Sequence, residues 1–167
     1  HIVANVDTTQ STASNRVKIY VNGVQETSLS TANYPAQNEE TFLNVNAAVS
    51  IGKTNYATSG YIGGYMSEFV FIDGQALDAS SFGEFDEDSP NIWKPKNVSG
   101  LTFGNNGFYL DFEDSSALGN DVSGNNNDFT VNNLTSADQS TDTCTLNYST
   151  MNPIQNLFGK QTFSNGN

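Results

Sequence analysis

Residues 121–128 of the chain read DVSGNNND. Asp121, Ser123, Asn125 and Asn127 place side-chain oxygens at alternate positions, Asp128 closes the run, and Gly124 permits a sharp turn. Carboxylate, hydroxyl and amide oxygens at such spacing are the donor types that Ca²⁺ accepts. The same residue types also form Asx turns, in which side chains bond the loop's own backbone. Only Asp121 and Asp128 carry charge, and the loop has no counterpart of the bidentate Glu of a tight Ca²⁺ loop. Two readings follow: a Ca²⁺ site made by these five residues, or a self-capped turn that requires no cofactor.

A second chemical candidate is the acidic run GEFDEDSP, with Glu84, Asp86 and Asp88 at alternate positions. Two carboxylates on one face of a strand can serve as nucleophile and general acid in glycoside cleavage. Glu87 occupies a position that the opposite face of a buried strand would give to an apolar residue, and Pro90 ends the segment too early for a central strand. His1 has no Ser or Cys partner in a nucleophile context. Cys144 lies in a Thr-rich stretch with no basic neighbour to lower its pKa. No catalytic residue is assigned, and the chain is read as a non-enzyme. Tyr34, Tyr56, Tyr61 and Trp93 are the aromatic side chains that could stack on a sugar ring. Trp93, the single tryptophan, is read first as a packing anchor.

At 167 residues the chain fits one ordinary domain, with or without an appendage. Six basic against 18 acidic residues give a net charge of −12. Phosphate backbones and anionic lipid repel such a polyanion, so nucleic acid and membrane surfaces are excluded as partners. One cysteine cannot make an intrachain disulfide, which argues against a small disulfide-stapled scaffold and suits assembly in a reducing cytoplasm. No apolar run reaches membrane-spanning length, and no basic-then-apolar leader is present.

The elements that would position these residues are strands. In residues 16–25, RVKIYVNGVQ, Val17, Ile19 and Val21 alternate with Arg16, Lys18 and Tyr20. That period of two predicts a strand with Val17, Ile19 and Val21 buried and with Arg16 and Lys18 toward solvent. Asn22-Gly23 is the pair that best tolerates a type I′ turn. Residues 1–7 alternate too, with Ile2, Ala4 and Val6 on one face, and are expected to pair with the strand after 16. Further strands are expected over 41–53, 66–72, 108–112 and 129–131. Asp73-Gly74 reads as a second hairpin-type turn, Asp78 as the cap of a short helical turn, and residues 83–99 as a connector. Residues 135–167 are rich in Ser, Thr, Asn and Gln and read as an extended arm or linker to a further domain. With no long helix in prospect, the pattern predicts an all-β chain.

HIVANVD followed by RVKIYVNGVQ resembles the central hairpin of laminin-G-like, concanavalin-A-like jelly rolls. In that family a Trp-x-His stretch opens one strand and R-x-x-x-Y-V-[DN]-G-V ends the next, here Arg16, Tyr20, Val21, Asn22, Gly23 and Val24. His1 would be that His, so the resemblance implies that the chain begins in mid-motif and lacks the N-terminal part of the domain. Gly64, Met66, Glu68, Phe69, Val70 and Phe71, then Leu77, Asp78, Ser80, Ser81 and Phe82, fit a later strand and short helix of the same pattern. The E-x-D-x-x-E spacing of jelly-roll glycoside hydrolases is missed at 84–88, where the third acid comes one residue early.

The order IDGQAL at 72–77, SSFGE at 80–84, WKPK at 93–96, GFYLDF at 107–112, DVSGNNNDFTVNNL at 121–134 and TDTCTLNYSTMNP at 141–153 resembles structural proteins of tailed, notably marine, bacteriophages. It implies an antiparallel jelly-roll β-sandwich over 1–134 with long loops, followed by the arm. It further implies a structural or adhesive component on the exterior of a virion: tail fibre, tail tip or capsid decoration. Partners would be other virion proteins, copies of the chain itself, or a host surface glycan. The alternative is a carbohydrate-binding, lectin-like module of a secreted or cell-surface protein.

Overall fold

The computed structural model describes residues 1–41, 47–54 and 60–140. Among them there is no α-helix, and the strands form three small antiparallel sheets. The first holds β1 (Ile2–Val6), β2 (Val17–Val21) and β3 (Val24–Gln25) in the order β1-β2-β3. The second pairs β4 (Phe69–Phe71) with β7 (Phe108–Leu110), and the third pairs β5 (Gly83–Phe85) with β6 (Trp93–Pro95).

The opening hairpins form where the alternation places them. Val3 stands opposite Tyr20 and Asn5 opposite Lys18. Asn22 (φ 48°) and Gly23 (φ 81°) make the two-residue turn that sets Val21 against Val24. The covered face differs from the expected one at Ile19 and Val21, while Val17 is half-buried. Val3 is 8% exposed, whereas Ile2 is 74%, Ile19 38%, Val21 47% and Val24 64% exposed. The half-buried Lys18 and Tyr20 share the packed face with Val3, and Asn5 Nδ2 donates to Leu77 O at 3.0 Å. Arg16 is not a free outward charge either: its guanidinium donates to the carbonyls of Gln10, Ser11 and Pro35 and binds two loops to the strand. Alternation separates the two faces of a strand, but other elements decide which face is covered.

The second sheet forms the core. Phe108 and Leu110 are buried on β7, and Phe71 pairs with Phe108 across the ladder. The Phe108 ring lies 5.8 Å from Phe69, 5.5 Å from Phe71 and 4.8 Å from Phe129, the last edge-on. The strand expected over 66–72 is shorter because Glu68 adopts φ 60°. Phe112 at φ 58° likewise stops β7 after Leu110. Asp73-Gly74 turns the chain but makes no hairpin, since β4 pairs with β7 rather than with the segment that follows. Residues 129–131 form no strand. Phe129 N donates to Gly119 O at 2.8 Å, and the ring plugs the core.

Residues 83–99 hold the β5-β6 ribbon rather than a plain connector. Asp78 caps the 3-10 turn Ala79–Ser81 by accepting from Ser80 N at 3.1 Å, as its position predicts. Thr135 and Asp138 form a capping box on the turn Ser136–Asp138. Gln139 Nε2 donates to the carbonyls of Phe112 and Glu113, tying the start of the C-terminal stretch to the second sheet. Of the strand expected over 41–53, residues 42–46 lie outside the described residues, as does the stretch 141–167 with Cys144. Among the described residues no helix is long and apolar enough to cross a membrane.

Candidate functional site

Asp121 is the centre of the loop 121–128 and is only 6% exposed. Its Oδ1 accepts from Tyr109 N at 2.8 Å and Ser123 N at 2.9 Å, and its Oδ2 accepts from Asn127 N at 2.9 Å. One carboxylate thus joins the loop to β7 and bends the loop around itself. Asp128 returns the connection, its Oδ1 accepting from Asp121 N at 2.9 Å. Burial pushes the Asp121 carboxyl up, but the N–H groups of Tyr109, Ser123 and Asn127 outweigh that and hold it below the ordinary carboxylate range.

The two asparagines extend the network. Asn125 Nδ2 donates to Gly104 O at 2.6 Å and Gly107 O at 2.8 Å. Asn127 Nδ2 donates to Asn105 O at 3.1 Å and Gly107 O at 2.9 Å. Gly107, whose carbonyl both asparagines share, packs directly on the Phe103 backbone, where a Cβ would stand 1.8 Å from Phe103 O. Ser123 Oγ accepts from Asn125 N at 3.3 Å. These contacts turn amide nitrogens, not oxygens, toward the backbone carbonyls, and the Asp121 oxygens are taken by N–H donors. In this conformation the donor set does not fit a Ca²⁺ ion, which needs those oxygens directed at itself. Among the described residues no three His, Cys, Asp or Glu side chains converge as metal ligands.

The acidic run behaves as a set of surface ion pairs. Lys94 Nζ stands 3.3 Å from Asp86 and 3.8 Å from Glu84, and Lys96 Nζ stands 3.9 Å from Glu84. Asp86 also accepts from Asp88 N and Ser89 N. Lys94, followed by the Ser89 N–H, holds the Asp86 carboxyl below its usual range. Held down in this way, Asp86 lacks the raised pKa that a general acid needs.

The aromatic candidates are scattered. Tyr34 is half-buried near Pro35, Tyr61 is exposed with Lys53 Nζ 5.7 Å from its ring centroid, and Tyr56 lies outside the described residues. No ring contact joins Tyr34, Tyr61 and Trp93 among the described residues. Trp93 is held closely: its indole lies against Gly23 of the first turn and Gly83 of β5, where a Cβ would come within 2.3 Å and 2.5 Å of ring atoms. Its Nε1 donates to His1 Nδ1 at 2.9 Å, and Phe85 meets it edge-on at 5.0 Å. This ring joins the first sheet to the third.

Around Trp93 lies an open cleft of about 390 Å³ whose walls include Tyr20, Phe85, Glu84 and Lys96. Reading by residue type missed Tyr20 and Phe85 as its neighbours. The alternation of β2 and the pairing of Phe85 with Trp93 were the signals that could have pointed to them.

No protein family, curated protein or solved structure matches this chain.

Proposed function

We propose that the chain is a non-enzymatic structural or adhesive component of the exterior of a bacteriophage virion, working through surface contacts. In this reading the three small sheets belong to a larger jelly-roll sandwich, and the chain sits in a tail fibre, a tail tip or a capsid decoration. The observation that carries it is the apolar face of the first sheet. Ile2, Ile19, Val21 and Val24 leave a contiguous hydrophobic surface in water, the kind of surface that marks an assembly contact. The motif order along 72–153 supplies the phage resemblance, and a net charge of −12 keeps such a chain soluble before assembly. Mass spectrometry of gradient-purified particles from the phage that encodes the chain tests the proposal. Its peptides should band with the capsid or tail proteins; their absence from particles that hold every other structural protein would overturn it.

The cleft beside Trp93 favours a second reading, a lectin-like module. Tyr20, Phe85 and Trp93 offer aromatic surface, and Glu84 and Lys96 offer groups that hydroxyls can bond. A glycan array separates the two, since selective binding lost in Phe85→Ala supports the lectin and uniform blanks refute it.

A further inference from the structure

Among the described residues two asparagines stand directly before a glycine, Asn22 before Gly23 and Asn106 before Gly107. Asparagine is a thermolabile residue, and a following glycine has no Cβ to hinder its nitrogen as it approaches the asparagine side chain. The two pairs share a dipeptide and differ in how the fold holds them. Asn22 is exposed at the tip of the β2-β3 hairpin, with φ 48°. Its Oδ1 accepts from His1 N at 2.8 Å, while among the described residues neither its Nδ2 nor the Gly23 N–H makes a hydrogen bond. The strand after the turn has only two residues, Val24 and Gln25, both exposed, so the turn can fray open without disturbing the core. Asn106 is pinned instead. Its N and its Nδ2 both donate to Asp73 Oδ2, at 3.1 Å and 3.0 Å. Gly107 is buried on the Phe103 backbone, and its carbonyl accepts from Asn125 Nδ2 at 2.8 Å and Asn127 Nδ2 at 2.9 Å.

We infer that Asn22 is a site of spontaneous deamidation, and that the folded chain directs this reaction to the hairpin turn and spares Asn106. The Gly23 nitrogen attacks Asn22 Cγ and gives up its proton to water. The Cγ–Nδ2 bond breaks, and ammonia leaves behind a succinimide ring. Water then opens the ring at either carbonyl, giving aspartate or isoaspartate, with no change of oxidation state. Both products add a negative charge, and isoaspartate also adds a methylene to the backbone. A two-residue turn that sets Val21 against Val24 has no place for the extra atom. Gly23 also lies against the Trp93 indole, where a Cβ would come within 2.3 Å of ring atoms. Isoaspartate at position 22 therefore shifts Trp93 and alters the cleft that Gly23 and Trp93 both line. The inference stands apart from the virion and lectin readings, since the reaction needs neither a particle nor a glycan.

The test is to hold the 167-residue chain at mildly alkaline pH, once folded and once in concentrated guanidinium chloride. Peptide mapping by mass spectrometry follows the replacement of the amide NH₂ by OH at each pair. In the denatured chain the two pairs should convert at similar rates. In the folded chain Asn22 should convert at least about tenfold faster than Asn106, a barrier difference of ~1.4 kcal/mol. Asp73→Ala removes the acceptor that pins Asn106, so it should speed Asn106 and leave Asn22 unchanged. If that variant fails to fold, the wild-type comparison decides the matter alone. Trp93 is the single tryptophan, so its emission should change as isoaspartate accumulates and stay constant in Asn22→Gln through the same incubation. Equal rates at the two pairs in the folded chain, or an Asn22 still intact when the denatured chain has converted, would overturn the inference. A converted chain with unchanged Trp93 emission would overturn the link to the cleft.

Discussion

Replacing Asp121 with alanine should be among the most damaging single changes in the second half of the chain. The side chain is 6% exposed and accepts three backbone N–H groups, from Tyr109, Ser123 and Asn127. Truncation leaves all three without their acceptor, and a partly buried donor left unpaired costs roughly 1–3 kcal/mol. Water can reach some of them once the carboxylate is gone, so the lower part of the range applies to each, and roughly 3–5 kcal/mol is expected in total. A small domain holds roughly 5–15 kcal/mol in all, so the variant should be close to unfolded at 37 °C. Asp121→Asn keeps one acceptor oxygen but turns a donor toward one of the N–H groups. It should lose less, roughly 1–3 kcal/mol.

Urea melts of the three proteins at several pH values measure the effect. The folded-state pKa of Asp121 lies below its unfolded value, so the carboxylate's contribution is complete above the unfolded value, 3.8. It is lost as pH falls through the folded pKa, and the gap between wild type and Asp121→Asn should narrow there. An Asp121→Ala protein within about 0.5 kcal/mol of wild type at pH 7, the range of an ordinary surface change, would refute the role assigned to the loop.

The packed face of the first sheet is tested by a pair of truncations. Val3→Ala should cost about 1–2 kcal/mol in a urea melt and Ile19→Ala less than about 1 kcal/mol, because only Val3 is covered; the reverse order would restore the face expected from alternation. Leu110→Ala, at 2% exposure on β7, should lower stability by about 2–5 kcal/mol. A melt shifted by less than half of that would mean the core is not built on β7. Ca²⁺ at up to about 1 mM should leave the melting temperature unchanged, since the loop 121–128 directs its oxygens at its own backbone. A stabilisation that disappears in Asp121→Ala would show that the loop rearranges around the ion.

What could be read from the chain was local. The Asn22-Gly23 turn, the register of the hairpin before it and the Asp78 cap depend on residues a few positions apart, where backbone preference and side-chain geometry leave one good solution. The Asx-rich character of 121–128 was also visible, and so were both of its chemical readings. The partners that hold the loop in its present conformation were not visible, because the Tyr109 N–H and the carbonyls of Gly104, Asn105 and Gly107 come from a strand and turn 12 to 22 residues away.

The pairing of β4 with β7 joins Phe71 to Phe108 across a long intervening stretch, and no short-range pattern encodes that register. The residues read as a connector became the β5-β6 ribbon because Trp93 could lie over two glycines, Gly23 and Gly83, each from a different sheet. Phe129 likewise became a plug rather than part of a strand when the Phe108 ring met it edge-on. The face of the hairpin was settled the same way. Alternation showed that β1 and β2 have two unlike sides, but distant segments meet the side that carries Asn5 and Tyr20: Asn5 bonds Leu77 O, and Tyr20 shares a cleft with Ala79, Ser80 and Trp93. Burial is a property of what packs against a residue, and for this chain those partners come from distant segments.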